Sequence, residues 1–196
     1  MFTGIVQAIG KVREPEPLGN GVRLTIVAPA LGLSDVKVGD SIAVNGACMT
    51  VIEKNDTEFK VDVSAESLSK TTGLDTFGEV NLEKAMRLGD RVDGHLVSGH
   101  VDGVGQVESM EKVAESYRLV IRAPRVLSPY LAYKGSITVN GVSLTVCNPT
   151  ANSFSVAIIP YTHDNTNFCD IEVGSVVNIE FDILGKYIAR LNALTK

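Results

Sequence analysis

The chain has 196 residues, 44% of them hydrophobic, which suffices for one large or two small folded domains and excludes a disordered protein. Its formal net charge is −5, and Lys and Arg are dispersed along it, so we expect no nucleic-acid partner. The opening MFTGIVQAIGKV lacks a basic and apolar leader, and no apolar run approaches the roughly 20 residues that span a bilayer, so we expect no membrane partner.

In chain order, the first predicted elements are short antiparallel strands. Apolar residues alternate in six runs, separated by Gly, Asn and Asp. The runs are Ile5-Val6-Ile9, Val22-Leu24-Ile26, Ile42-Val44, Met49-Val51, Phe59-Val61-Val63 and Val80-Leu82. The Asn45-Gly46 pair tolerates positive φ and predicts a tight hairpin between the third and fourth strands.

The second half repeats the first with a displacement of 95 positions. Residues 98–107 match 3–12 at four of ten positions, 117–124 match 22–29 at five of eight, and 136–146 match 41–51 at seven of eleven. The repeat predicts a second hairpin at Asn140-Gly141 and a boundary near residues 85–97. We therefore predict an all-β protein with two tandem six-stranded antiparallel Greek-key barrels, since closure protects strand edges.

A helix is predicted after the second barrel. Its apolar side chains recur at helical spacing on one face: Tyr187, Ile188, Leu191 and Leu194. The predicted units are thus a barrel over 1–90, a barrel over 97–184 and a helix over 185–196.

Positions at which the two copies differ are candidates for chemistry confined to one copy. Cys48 stands opposite Ser143, each two residues after an Asn-Gly pair, and a buried structural cysteine is as reasonable an interpretation as a reactive one. His100 stands opposite Ile5 and is a candidate acid or base. With His95 it could instead form a metal pair or two surface histidines, and we disfavour the metal because no third ligand has suitable spacing.

The cysteines and one further histidine have simpler interpretations. The three cysteines, Cys48, Cys147 and Cys169, form no CxxC pair and leave an odd number, which suits a reducing compartment and predicts a cytoplasmic protein. His163 stands opposite Leu68 and is expected to be an exposed or rim histidine.

The opening MFTGIVQ, the motif GHLVSGHVDG (94–103), the elements NGACMTV and NGVSLTV, and the duplicated unit together resemble the riboflavin synthase family. The resemblance covers essentially the whole chain. It implies that each barrel binds one 6,7-dimethyl-8-ribityllumazine and that three chains associate through their terminal helices. It also implies transfer of four carbons between the two lumazines, giving riboflavin and 5-amino-6-ribitylaminouracil, with no metal and no cofactor.

The resemblance also implies residue roles. Phe2 would line the site, and the groups near the reacting atoms would be Cys48, His100, Ser143 and Asp182. The first ligand site would comprise Gly4, Ile5, Val6, Cys48, Met49, Thr50, Asp62, Val63, Ser64, Ala65, Glu66 and Ser67, with Ser41 as a further polar candidate. The second would comprise Gly99, His100, Val101, Lys134, Ser143, Leu144, Thr145, Ile159, Pro160, Tyr161, Thr162, His163 and Asp164.

Glu66-Ser67-Leu68 in the first half is replaced by Tyr161-Thr162-His163 in the second, which puts a carboxylate contact to the second ligand in doubt. Removal of residues 1–3 takes away Phe2, so we expect it to abolish activity. We expect the fold to stay intact, because terminal residues seldom carry stability unless they are tied into a core.

Two other classes of protein are consistent with duplicated barrels. One is a non-catalytic lumazine- or flavin-binding fluorescent antenna protein. The proton-transfer candidates argue against it, because an antenna protein needs none. The other is an oligonucleotide-binding barrel, which the acidic charge and the 6% aromatic content disfavour.

Overall fold

The computed structural model describes residues 1–194 and consists mainly of antiparallel strands. The strands of the first half are β1 (Ala8–Val12), β2 (Glu16–Leu18), β3 (Gly21–Val27), β4 (Ser41–Val44), β5 (Ala47–Lys54), β6 (Glu58–Val63) and β7 (Gly78–Lys84). Those of the second half are β8 (Gly103–Val113), β9 (Ser116–Arg122), β10 (Ser136–Val139), β11 (Val142–Thr145), β12 (Ser153–Ile158) and β13 (Val176–Phe181). The helices are α1 (Ala65–Lys70), α2 (Pro160–Asp164) and α3 (Ile183–Leu194).

The first half forms a closed six-stranded barrel. Its strand order is β1-β7-β4-β5-β6-β3, and pairing of β1 with β3 closes it, while the short β2 extends β3 outside the ring. The second half has the matching order β11-β10-β13-β8-β9-β12. An isolated bridge between Cys147 and Ser155 joins its two ends. The predicted fold class is confirmed, and β2, α1 and α2 are elements that the sequence pattern did not predict.

The predicted hairpins are confirmed at both Asn-Gly pairs. Val44 pairs with Ala47 across the first turn and Val139 with Val142 across the second. Both residues of each turn have positive φ, 46° and 84° at Asn45 and Gly46, as a two-residue turn between twisted strands requires. The first strand, however, begins at Ala8, so Ile5 and Val6 precede it.

Each barrel has its own apolar core, and the alternation along the strands determines which side chains enter it. The first core includes Leu24, Ile26, Phe59 and Val61, and the second contains the matching residues of β9 and β12 together with Phe181. A third small cluster, of Phe2, Ala43 and Val97, is separate from both.

Buried asparagine side chains connect the two barrels. The Asn81 side chain donates to the carbonyl of Asn140 at 3.0 Å, and the Asn178 side chain donates to the carbonyl of Asn45 at 3.0 Å. Asn81 and Asn178 lie on β7 and β13, whereas Asn45 and Asn140 lie in the turns of the opposite barrels. Each barrel is therefore held to the hairpin turn of the other.

The terminal helix starts two residues earlier than predicted, at Ile183, and residues 195 and 196 of the prediction lie outside the described residues. Its predicted apolar face is exposed in the single chain. Within residues 1–194, no helix combines the length and apolar character needed to cross a bilayer.

Candidate active site

The two candidate sites begin at equivalent places on the hairpins. Cys48 pairs with Ala43 on β4, and Ser143 pairs with Thr138 on β10. Both side chains are half-buried, one position beyond the first residue of β5 or β11. The repeat therefore places one small polar or thiol group at the same point of each barrel.

The segment that contacts each of these residues comes from the other repeat. The Ser143 N–H donates to the Gly4 carbonyl at 2.7 Å, and the Cys48 N–H donates to the Gly99 carbonyl at 2.8 Å. Side chains follow the same exchange, since Val6 packs against the second core and Val101 against the first. We name residues 1–6 and 97–101 the exchanged segments.

This exchange corrects the grouping predicted from sequence. Residues 4–6 belong with Ser143 on the second barrel, and residues 99–101 belong with Cys48 on the first. The repeat alignment paired each segment with its own barrel because the segment and the barrel are continuous in the chain. Which barrel the segment contacts is decided by tertiary packing, and a sequence alignment contains no information on it.

Gly4 and Gly99 are required where the exchanged segments meet the hairpins. Their φ values are +76° and +78°, in the left-handed region that favours glycine. A Cβ on Gly4 would lie 2.7 Å from the Cβ of Ser143, and one on Gly99 would lie 2.6 Å from the Cβ of Cys48. A side chain at either position would push the segment away from the hairpin.

The wall of the first site continues from β5 to the turn after β6. Met49 and Val63 are buried and Thr50 is exposed, in keeping with the alternation of the strands. Ser64 caps helix α1 by accepting from the Ser67 N–H at 3.1 Å. Of the remaining predicted residues of this wall, the side chains of Ala65 and Glu66 are exposed.

Asp62 and Ser41 have contacts that bear on their predicted roles. Asp62 accepts two hydrogen bonds from Arg23, at 2.7 and 3.0 Å, and these lower the pKa of its carboxyl group. It is therefore ionised and paired. Ser41 lies opposite Thr50 in the β4–β5 register and lines a cavity of ≈ 410 Å³ with Lys84 and Arg87.

The second site has a pair of stacked rings on its wall. His163 of α2 stacks on Tyr117 with ring centroids 4.5 Å apart, and its Nδ1 lies 2.8 Å from the Asp164 carboxylate. His163 is half-buried, consistent with a rim position. Lys134 has a φ of 64° and places its ammonium 5.4 Å from the ring centroid of Tyr133.

The remaining predicted residues of the second site lie on β11 and at or before the start of α2. Leu144 packs against the second core, and Thr145 is exposed. Ile159 precedes α2, which contains Pro160, Tyr161 and Thr162, and Tyr161 is exposed.

His95, which the sequence pattern indicated only as a metal ligand or a surface residue, lies at the second site. Its Nδ1 lies 2.7 Å from the Ser143 hydroxyl, and the ring is half-buried. Burial lowers the pKa of His95, and the negative charge of Asp182 opposes this. The neutral ring can accept a hydrogen bond from the hydroxyl in one tautomer. The available signal was that His95 precedes the second repeat and has no counterpart in the first.

The other predicted catalytic residues lie in contrasting surroundings. His100 is exposed and follows the glycine that contacts Cys48. Phe2 has 0% exposure and packs with Ala43 and Val97, beneath Gly99. The expectation that residues 1–3 contribute little to the fold is therefore wrong, because Phe2 is part of a buried cluster.

Comparison with known proteins agrees with this duplicated architecture. A family model described as "Lumazine binding domain" matches the chain twice, over residues 3–85 and 98–182. Riboflavin synthase of Photobacterium phosphoreum is 43% identical over 198 residues, covering 100% of this chain and 91% of that protein. This chain belongs to the riboflavin synthase family. Riboflavin synthase of Bacillus amyloliquefaciens is 44% identical over 192 residues, which cover 97% of this chain and 89% of the relative.

Solved structures with the same fold include two ligand complexes. A structure of LumP complexed with riboflavin has a TM-score of 0.84 and 26% identity, and covers 93% of this chain and 100% of the other. A complex of LumP with 6,7-dimethyl-8-(1'-D-ribityl) lumazine has a TM-score of 0.82 and 25% identity, with 93% and 99% coverage. LumP therefore binds both the lumazine and riboflavin.

Proposed function

We propose that this chain is a riboflavin synthase, which transfers a four-carbon unit between two molecules of 6,7-dimethyl-8-ribityllumazine. The observation that carries the proposal is the pair of matching sites on one chain, at Cys48 and Ser143, each completed by a segment of the other repeat. A reaction between two identical substrates needs two such sites. The products would be riboflavin and 5-amino-6-ribitylaminouracil.

The chemistry requires loss of a proton from the C7 methyl group of one lumazine and close stacking of the two rings. Holding two rings face to face supplies up to about 7–11 kcal/mol in favourable cases. We propose Cys48, His100, Ser143 and Asp182 as the catalytic set, with Phe2 as a positioning residue. Phe2 is buried and would act by supporting the Gly99–Cys48 contact.

His95 is an addition to this set. A neutral imidazole that is hydrogen-bonded to the Ser143 hydroxyl can accept the proton of that hydroxyl and relay it. No residue of the first repeat aligns with His95, and the histidine next to the first site, His100, stands opposite Ile5 in the repeat. This asymmetry suits a reaction in which two identical molecules have different roles.

We further propose that the protein acts in the cytoplasm as a homotrimer, with α3 as the contact between chains. Exposed apolar side chains on this helix support the proposal, since 65% of Tyr187 and 59% of Ile188 are accessible in the single chain. Stacking of two lumazines would then occur between barrels of neighbouring chains.

A lumazine- or flavin-carrying antenna protein is the second candidate, and the similarity to LumP favours it. The higher identity to proteins named riboflavin synthase, 43–44% against 25–26%, supports the enzyme. The two candidates differ in one observable, the formation of product.

The test is incubation of the purified protein with 6,7-dimethyl-8-ribityllumazine alone, followed by absorbance and chromatography. We expect equal amounts of riboflavin and 5-amino-6-ribitylaminouracil. Stable binding of the lumazine without conversion would support the antenna protein and contradict the enzyme. Heat-denatured protein provides the blank.

A further inference from the structure

Two buried carboxylates, Glu83 and Glu180, occupy matching places near the ends of β7 and β13. Their exposed fractions are 4% and 2%, and within residues 1–194 neither forms an ion pair. Burial raises the pKa of both groups. The positive charges of the N-terminus and of Lys186 act on Glu83 and Glu180 without ion-pair contact, and a carboxylate buried in this way destabilises a fold unless hydrogen bonds compensate it. Its presence in both copies therefore requires an explanation.

Both carboxylates bind backbone N–H groups of the exchanged segments. Glu83 accepts from the Thr3 N–H at 2.7 Å through Oε1 and from the Gly4 N–H at 3.0 Å through Oε2. Glu180 accepts from the Ser98 N–H at 2.8 Å and from the Gly99 N–H at 2.9 Å in the same two-oxygen arrangement. Each carboxylate thus fixes two consecutive peptide groups.

The same glycines are the ones that contact the hairpins. Glu83 binds the N–H of Gly4, and the carbonyl of Gly4 accepts from Ser143 at 2.7 Å. In the second copy, Glu180 accepts from the Gly99 N–H, and the Gly99 carbonyl accepts from the Cys48 N–H. Because Glu83 lies in the first barrel and Ser143 in the second, each carboxylate acts across the barrel interface.

The strands that carry the carboxylates hold the opposite hairpin at a second point. Asn81, two residues before Glu83, donates to the carbonyl of Asn140 in the turn that precedes Ser143. Asn178 binds the Asn45 carbonyl in the same way on the other side. One strand therefore fixes both the turn and the candidate site of the opposite hairpin.

We propose that Glu83 and Glu180 are positioning residues, each holding the glycine segment that completes the candidate site of the opposite barrel. Glu83 positions Gly4 at the Ser143 site, and Glu180 positions Gly99 at the Cys48 site. This proposal deepens the proposed function and rests on it for the assignment of both sites to ligand binding.

A carboxylate suits this role and an amide does not. Both oxygens of a carboxylate accept hydrogen bonds, whereas glutamine would turn an NH₂ group toward one of the two N–H donors. Glycine at positive φ has wide conformational freedom, so these bonds fix the glycine peptide where the pairing of Phe2 with Val97, which joins the two segments, does not reach. Glu83→Gln and Glu180→Gln should each loosen the two peptide groups that the carboxylate binds in one segment and leave those of the other segment in place.

The first measurement is hydrogen–deuterium exchange of the full chain. Glu83→Gln should increase exchange about tenfold or more at the amides of residues 3–5 and leave residues 98–100 as in the wild type, since a hydrogen bond to a charged group is lost. Glu180→Gln should give the reverse pattern. The two variants are each other's control. Equal increases in both segments, or none, would overturn the proposal.

The second measurement is calorimetric titration with riboflavin. If the wild type shows two binding events, each variant should weaken one event about tenfold and leave the other within twofold, for loss of one hydrogen bond. Weakening of both events by either variant would indicate a general structural role and refute positioning. If riboflavin does not bind to the wild type, the proposed function fails, and the exchange pattern alone decides the positioning role.

Glu83→Gln could also prevent folding, so a milder change is included. Thr3→Val removes the hydroxyl, which donates to Glu83 at 2.7 Å and accepts from the Ile5 N–H at 3.2 Å, and it keeps both N–H donors to Glu83. It should raise exchange at the Thr3 and Gly4 amides, which bind Glu83, by a smaller factor than the glutamine variant. An unchanged segment in Thr3→Val, together with an unfolded Glu83→Gln, would assign Glu83 to folding alone.

Discussion

Replacement of Phe2 by alanine tests the buried position of the N-terminal residues. The Phe2 side chain is fully buried, packing with Ala43 and Val97, while its backbone N–H and carbonyl bond to Val97 at 2.8 and 3.0 Å. Alanine keeps these backbone bonds and loses the ring, so the expected loss is that of a large-to-small core substitution. This is about 3–5 kcal/mol of unfolding free energy.

In a chain of this length each kcal/mol lowers Tm by roughly 2–4 °C, which gives a decrease of about 6–20 °C. Differential scanning calorimetry of the ligand-free protein measures it. The matched control is Ile5→Ala in the same segment, because Ile5 is 46% exposed and should change stability by about 0.5 kcal/mol or less. A Phe2→Ala protein as stable as Ile5→Ala would refute the reasoning.

Three further predictions concern the proposed sites. His100→Gln should lower kcat by about 10²–10⁴ with little change in ligand affinity, and a near-normal kcat with a raised KM would contradict its catalytic role. Because burial lowers the pKa of His95, the unfolded state binds a proton where the folded state does not. The neutral His95 therefore contributes its full share of the unfolding free energy above the pKa of the unfolded state, about 6.5. This contribution is lost as the pH falls below that value. His95→Gln should therefore reduce the decrease of Tm between about pH 8 and pH 5, and an unchanged pH profile would exclude the effect. Calorimetry with a non-reacting lumazine analogue should give two ligands per chain, and saturation at one ligand would contradict the paired sites.

The sequence alone determined the two hairpin turns, the barrel strands and the duplication. Asn45-Gly46 and Asn140-Gly141 predicted hairpins because residues that tolerate positive φ fix a two-residue turn without help from the rest of the fold. The alternating apolar runs predicted the six barrel strands of the first half for a similar reason, since the side-chain period is local to each strand.

Only the tertiary structure decided which barrel each exchanged segment contacts. The two barrels are copies, so the contacts of Gly4 with Ser143 and of Gly99 with Cys48 have near-identical alternatives within each repeat. The proposed roles of Glu83 and Glu180 also depend on which barrel each exchanged segment contacts. Both residues are visible in the alignment as an acidic residue repeated near a strand end, but their partners are backbone N–H groups, which every residue type except proline offers. A sequence specifies its turns and strand faces through side chains, whereas the partner of a backbone group is decided by packing.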